Sequence, residues 1–182
     1  MNGINLATAG HIVNILPPQS ISGGKTAQAF SLKNAEHVSI LIGFGVQGVG
    51  PPTAIILNRC TSVAGANPVA LPGFRYYYTT APGAGNDILN GAGGPLAAYP
   101  APPNYVTVTE GLTVFPPSVA GLMYVIELDS ADLQVPTGVG PVTEYPYLQV
   151  SIADSGNATM CQILAVLTGE RYGCNITASA TI

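Results

Sequence analysis

Two apolar segments between residues 30 and 60 constrain the fold more than any other part of the sequence. Residues 36–44 (EHVSILIGF) alternate and then run apolar, with β-branched side chains, which predicts a largely buried strand. Residues 53–59 (TAIILNR) predict a second apolar strand. The Gly- and Pro-rich segment 43–52 between them can neither continue a strand nor begin a helix. We therefore expect the two strands to form a hairpin-like unit on which the other strands pack.

Glycine and proline punctuate the whole chain, with 22 and 16 residues respectively. They separate short strand-like segments, and a helical protein would not tolerate that density. Further strands are expected at residues 26–32, 74–80, 105–115 (two short segments, 105–109 and 112–115, interrupted at 110–111), 121–128, 145–152 and 158–167, while 11–16 is either a first strand or part of an arm and 174–182 is a candidate final strand. The pattern predicts an all-β chain of about eight to ten strands with long Gly/Pro-rich loops.

The length of 182 residues suits one domain that buries its own core. We expect residues 19–182 to form this domain. Residues 1–18 are expected to be either its first strand or an N-terminal arm that reaches a neighbouring subunit. Within them, His11, Ile12 and Val13 are candidate interface residues.

The small number of charges limits the classes of partner. Charged residues make up 8% of the chain, against roughly a quarter in an ordinary domain, so much of the surface is expected to be neutral. The net charge is −4 and the five Lys and Arg residues are scattered, which argues against nucleic acid as a partner. The chain shows no apolar run long enough for a membrane span and no signal-peptide pattern, so we expect synthesis in a cytoplasm and no membrane partner.

Two glycine motifs resemble phosphate-binding sequences. Gly43, Gly45 and Gly48 have the spacing of a dinucleotide fingerprint, but residues 51–52 are both proline and prevent the helix whose N-terminus would hold the pyrophosphate. Residues 24–26 (GKT) lack the earlier glycine of a phosphate-binding loop and precede a strand pattern. We therefore expect both motifs to be turns and predict no cofactor.

Catalytic residues do not converge in the sequence. His11 and His37 are the only histidines, and each lies in or beside a strand pattern. Ser151 and Asp154 would complete a triad with one of them, but no motif places that serine on an exposed elbow. We therefore expect structural histidines and no enzyme.

Metal ligands are equally sparse. Cys60, Cys161 and Cys174 have no metal-ligand spacing, and an odd number argues against a disulfide framework, so small buried thiols are expected. No site is expected from them.

Three carboxylates lie close together in sequence, at Glu127, Asp129 and Asp132. Turn carboxylates can hold calcium, and they can also accept hydrogen bonds from backbone amides. The sequence leaves both interpretations open, with amide capping favoured.

Four tyrosines complete the candidate interface. Tyr76, Tyr77 and Tyr78 are consecutive in a predicted strand and so occupy both of its faces, from which we expect at least one ring to lie at a surface or interface. Tyr99 lies in the Gly/Pro-rich segment 81–103, which is either a loop that contacts another subunit or an ordinary surface loop.

Several segments resemble a group of small structural proteins encoded among the head genes of tailed bacteriophages, similar in role to cement or decoration proteins. They are FSLKNAEHV (30–38), YYY (76–78), YVIELDSADL (124–133), VSIAD (150–154) and LTGERY (167–172). The resemblance covers most of the chain outside the loop tips. It implies an antiparallel β-sandwich, jelly-roll-like, and it transfers no functional residues because the motifs are strand and turn patterns.

The implied function is that of a virion protein on the capsid surface, made in the cytoplasm of a bacterial host. It would bind the outside of the shell, bridge neighbouring copies of the major capsid protein and self-associate as a dimer or trimer. The alternatives are a head–tail adaptor, a tail or fibre protein, and a carbohydrate-binding β-sandwich in which Tyr76–Tyr78 and Tyr99 would stack on sugars. The absence of tryptophan counts against the last of these.

Overall fold

The computed structural model describes residues 10–45, 54–71, 73–78, 104–107, 123–133, 145–153 and 159–170. Within these residues the chain forms strands and one short 3-10 helix, Ser130–Leu133. The strands are β1 (Gly10–Ser20), β2 (Lys25–Thr26), β3 (Phe30–Ser31), β4 (Ala35–Phe44), β5 (Ile55–Cys60), β6 (Val69–Ala70), β7 (Gly73–Tyr78), β8 (Asn104–Thr107), β9 (Met123–Asp129), β10 (Tyr147–Ile152) and β11 (Met160–Glu170). The prediction of an all-β chain is confirmed. None of the helices among these residues is long and apolar enough to cross a membrane.

The strands form two antiparallel sheets. The six-stranded sheet has the order β1-β11-β4-β9-β7-β8. The second sheet has the order β2-β10-β5-β6, and β3 also pairs with β10 beyond the end of β2. Strand pairs are nested in the chain: β1 pairs with β11, β2 and β3 pair with β10, β4 pairs with β9, and β5 pairs with β6. β7 and β8 extend the six-stranded sheet beyond β9.

The core lies between the two sheets because each long strand alternates buried with exposed positions. In β4, Val38, Ile40 and Ile42 are completely buried, and Ile126 of β9 and Ile163 of β11 join them. The facing side chains of the second sheet include Phe30, Leu57, Leu148 and Val150. Burying one such side chain contributes about 1.5–3 kcal/mol, so this layer holds the sandwich together.

The predicted hairpin of β4 and β5 is wrong. β4 pairs with β9 and β11, whereas β5 pairs with β10 and β6, so the two strands lie in different sheets. Both strands have apolar residues at alternate positions, and placing them in opposite sheets lets both apolar rows face one core. If β4 and β5 had paired side by side in one sheet, other strands would have been needed to cover the apolar face that they share.

The predicted strand at residues 26–32 is interrupted. β2 and β3 are two-residue strands on the same side of β10; between them the N–H of Ala27 still donates to the carbonyl of Val150 in β10, and the chain leaves the ladder at the next residue. There the backbone N–H of Gln28 donates to the carbonyl of Ile15 in β1, at 3.2 Å. This segment therefore links the edges of the two sheets.

β1 continues through Pro17 and Pro18, where the sequence predicted its end. The register with β11 shifts between Asn14 and Leu16 and again between Leu16 and Gln19. Proline is tolerated here because β1 is an edge strand and these irregularities remove the need for its N–H. Residues 10–20 are thus a strand of the sheet, while the division of the chain at residue 18 stays a prediction.

Other predicted strands are found close to their expected places, as β7, β8, β9, β10 and β11. The predicted strands at residues 112–115 and 174–182 lie outside the described residues. So does the predicted loop at 81–103.

Candidate functional site

The most distinctive surface is the side of the six-stranded sheet that points away from the core, which we call the outward face. Its described residues occupy the positions that alternate with the buried ones in four neighbouring strands. They are Ile12 and Asn14 in β1; Met160, Gln162, Leu164, Val166 and Thr168 in β11; His37, Ser39, Leu41 and Gly43 in β4; and Met123, Val125, Glu127 and Asp129 in β9.

The strand register arranges these residues in rows across the sheet. One row runs Asn14, Leu164, Leu41, Val125, and the next runs Ile12, Val166, Ser39, Glu127. A third row places Thr168, His37 and Asp129 side by side.

An apolar band crosses the outward face, formed by Ile12, Val166, Leu164, Leu41 and Val125. Ile12 is 54% exposed and the other four are partly exposed. Beyond the band, Met123 and Met160 are 39% and 47% exposed. Three of the four large hydrophobic residues that the described part of the chain exposes therefore lie on this face; the fourth, Val69, is on β6 of the other sheet.

A polar cluster borders the band at one end, with His37 between two carboxylates. His37 Nδ1 is 2.7 Å from Asp129 Oδ1, and His37 Nε2 is 2.6 Å from Glu127 Oε2. The Ser39 hydroxyl donates to the same Glu127 oxygen at 2.7 Å. The strands place them together because His37 is directly opposite Asp129 and Ser39 is directly opposite Glu127. We call these four side chains the His37 cluster.

The geometry of the His37 cluster favours a protonated imidazole. Both ring nitrogens donate hydrogen bonds only in the imidazolium form. Partial burial lowers the pKa of His37, but the hydrogen bonds to Asp129 and Glu127 and the negative charges of both groups together raise it above 6.5.

The His37 cluster does not have the geometry of a catalytic triad. In a triad the hydroxyl donates to the imidazole, which can then accept its proton. Here the Ser39 hydroxyl donates to Glu127, and both nitrogens of His37 are occupied by carboxylates. Neither a nucleophile nor a base is therefore activated within the cluster.

The three carboxylates singled out from sequence do not converge on one point: two share His37, and the third caps a backbone amide. Glu127 and Asp129 bind His37, and Asp132 accepts a hydrogen bond from the backbone N–H of Asp129 at 2.9 Å. Among the residues that the structure describes, no group of three or more His, Cys, Asp or Glu side chains is placed to hold a metal ion. The bond to the Asp129 amide is of the capping kind favoured from sequence.

The candidate interface residues of β1 differ in exposure. Ile12 is exposed on the outward face, His11 is half-buried and Val13 is buried in the core. Val13 is therefore not available at the surface, because it has the opposite parity to Ile12 in the strand.

The candidate tyrosines are only partly placed by the structure. The backbone of Tyr76, Tyr77 and Tyr78 lies in β7, where Tyr77 is opposite Val125 of β9. Their side chains lie outside what the structure describes, and so does Tyr99.

Buried thiols are confirmed for two of the three cysteines, and Cys174 lies outside the described residues. Cys60 and Cys161 are both free and buried. Burial raises the pKa of the Cys60 thiol and raises that of Cys161 to about 12. Neither thiol is therefore a reactive nucleophile.

Arg59 is a buried cation that sequence reasoning did not single out. It is 8% exposed, its Nη1 donates to the carbonyl of Leu133 at 3.4 Å, and its guanidinium lies 5.2 Å from the ring centroid of Tyr145. It joins the end of β5 to the 3-10 helix and to the start of β10, so its role is structural.

The sequence contains a signal for the His37 cluster in the alternation of its strands. His37 and Ser39 share one face of a predicted strand, and so do Glu127 and Asp129. That parity would have paired a histidine with two acids if β4 and β9 had been known to be neighbours.

A comparison of the chain with protein families, with curated proteins and with solved structures finds no match.

Proposed function

We propose that this chain is a structural protein of a tailed bacteriophage that binds the outside of the capsid and stabilises contacts between major capsid proteins, as cement or decoration proteins do. The observation that carries the proposal is the apolar band on the outward face. In a sheet with one solvated face, that face is normally polar. Exposed aliphatic patches of this kind mark sites of protein association.

The order of the strands supports the same proposal. We infer that the nested pairs β1·β11, β2/β3·β10, β4·β9 and β5·β6 are the eight-strand framework of a jelly roll, with β7 and β8 as an added hairpin. Jelly rolls occur in viral capsid domains and also in lectins, so this support is an analogy of fold. The resemblance of the sequence to phage head proteins favours the capsid.

The low charge of the chain is consistent with a role in a shell. Charged side chains make up only 8% of the residues, and large protein contacts exclude charge from their centres. The neutral outward face would bury against a capsid subunit without leaving an unpaired charge, apart from the His37 cluster at its border.

Counting the copies in purified virions tests the proposal. We expect quantitative mass spectrometry to give a copy number equal to that of the major capsid protein, or a simple lattice fraction of it. A copy number of about twelve or fewer would indicate that the chain belongs to the portal or the tail. Complete absence from virions would refute a structural role and favour a free binding module.

A pair of matched variants then tests the outward face. Met160→Glu places a charge on the outward face, and Val69→Glu places the same charge on an exposed hydrophobic position of the other sheet. We expect Met160→Glu to reduce capsid occupancy and Val69→Glu to leave it unchanged, with both proteins folded by circular dichroism. Equal occupancy of the two variants would contradict the assignment of this face.

A further inference from the structure

We propose that residues 10–14 of β1 form an open sheet edge that pairs with the same edge of a second copy of this chain. This pairing would produce the self-association that the resemblance to cement proteins implies, so it rests on the proposed function, but it is testable without a capsid. We call these five residues the open edge. Their other side pairs regularly with β11, from Gly10 opposite Thr168 to Asn14 opposite Leu164.

The open edge is the longest regular free edge in the described part of the molecule. In the second sheet the edges are β2, β3 and β6, with two residues each. The far edge of the six-stranded sheet is β8, with four residues. Short edge strands are one way in which proteins prevent edge-to-edge association. No described strand pairs with the free side of β1.

The two halves of β1 differ in how they are protected. The second half contains Pro17, Pro18 and both register shifts, and all of these block the addition of a strand. The open edge (GHIVN) contains no proline, no register shift and no Asp, Glu, Lys or Arg. Among the described residues it therefore retains a row of backbone donors and acceptors with no feature that would repel a partner strand.

We infer a second copy of the chain as the partner because the open edge carries no Asp, Glu, Lys or Arg and can pair with itself about a two-fold axis. Two identical strands pair antiparallel about a two-fold axis, and the five residues overlap completely when the axis passes through Ile12. Gly10 is then opposite Asn14 of the second copy, and Ile12 is opposite Ile12. No charged side chains face each other across the junction.

This arrangement also accounts for the exposure of Ile12. The side chain is 54% exposed and ends the apolar band at the sheet edge. Directly opposite residues of paired strands place their side chains on the same face, so the two Ile12 side chains would cover each other. The apolar bands of the two copies would become one continuous surface across a joined sheet.

The contact is small, which determines how it should be measured. A five-residue strand is about 17 Å long, and pairing over that length buries much less than the ~800 Å² per partner of a standard interface. The solution dimer is therefore weak, and a covalent trap reports it better than elution volume does.

Cysteine cross-linking of the full chain tests the pairing and its register. In the variant Ile12→Cys the two Cα atoms would lie about 4.5–5.5 Å apart across the axis, within the range of a disulfide. The matched control Asn14→Cys is on the same face, but its two copies would be offset by four residues, or about 14 Å, which is too far. The wild-type chain gives the background from its native cysteines.

We expect Ile12→Cys to form disulfide-linked dimer at least ~10-fold faster than Asn14→Cys under mild oxidation, because pairing holds the two thiols together. Rates that are equal, or no faster than wild type, would overturn the open-edge pairing. Circular dichroism of each variant confirms that the sheet is folded.

The outcome is separable from that of the proposed function. A lack of cross-linking together with normal capsid occupancy of the wild-type chain would refute only the pairing. Rapid cross-linking of a chain that is absent from virions would support the pairing and refute the capsid assignment.

Discussion

Replacing His37 by glutamine should destabilise the protein at pH 6 and have a smaller effect at pH 9. Glutamine keeps a hydrogen-bonding amide of similar reach but cannot carry the positive charge that both carboxylates of the His37 cluster bind. The variant therefore isolates the contribution of the imidazolium from that of the side chain's polarity.

The size of the effect follows from the exposure of the three side chains. The side chains of His37 and Glu127 are 35% and 30% exposed, whereas that of Asp129 is 69% exposed. Solvent-exposed pairs contribute ~0.2–1 kcal/mol, so the contact with Asp129 belongs near the lower end of that range and the contact with Glu127 near the upper end. We expect a total of about 1 kcal/mol in the protonated state, which is a change of ~2–4 °C in Tm for a chain of this size.

The sign of the pH dependence follows from the raised pKa of His37. Because the folded pKa is above the unfolded value, the stabilisation is fully present below pH 6.5 and is lost as the pH rises through the folded pKa. Urea unfolding of wild type and His37→Gln at pH 6 and pH 9 measures the difference. His11→Gln is the control, since the described residues give His11 no ion pair.

A destabilisation by His37→Gln that is equal at the two pH values, or larger at pH 9, would refute this reasoning. The first outcome would mean that packing, and not charge, accounts for the effect. The second would mean that neutral His37 is the form that the folded protein prefers.

Two further predictions concern the core. Ile40→Ala should lower the free energy of unfolding by ~2–5 kcal/mol, because Ile40 is completely buried between the sheets. Ile12→Ala, at an exposed position, should change it by less than ~0.5 kcal/mol. Urea titration measures both values, and similar losses would contradict the assigned alternation of inward and outward positions. Cys161 should react with a thiol reagent only as fast as the protein unfolds, because the thiol is buried and burial raises its pKa to about 12. Peptide mass spectrometry locates the labelled cysteine. Rapid labelling of Cys161 under native conditions would show that β11 is not buried as described.

The positions of most strands could be predicted from sequence because strand formation leaves a local pattern. Alternation in residues 36–44 and 145–152 indicated β4 and β10 almost to the residue. Pairing could not be predicted in the same way, because the neighbours of β4 are β9 and β11, which follow it by about 80 residues or more. Proximity in sequence therefore suggested a hairpin with β5 that the sheet order contradicts.

The His37 cluster illustrates the same limit at the level of a site. His37 and the two carboxylates were each noticed in the sequence, and their strands were expected. Their contact depends on the register of β4 against β9, in which a shift of one residue would move His37 to the core face. That register depends on the packing of the apolar positions on the inner face, to which several strands contribute.

The packing of the inner face does not explain why an apolar band crosses the outward face. Burial of Val38, Ile40 and Ile42 requires only that alternate positions of β4 be hydrophobic. Leu41, and its row neighbours Leu164 and Val125, occupy the opposite parity and contribute nothing to that core. Strands that are apolar on both faces are typical of sheets covered on both sides. This is why we propose that another protein packs on the apolar band, and the proposed pairing of the open edge would extend the same band into a second copy.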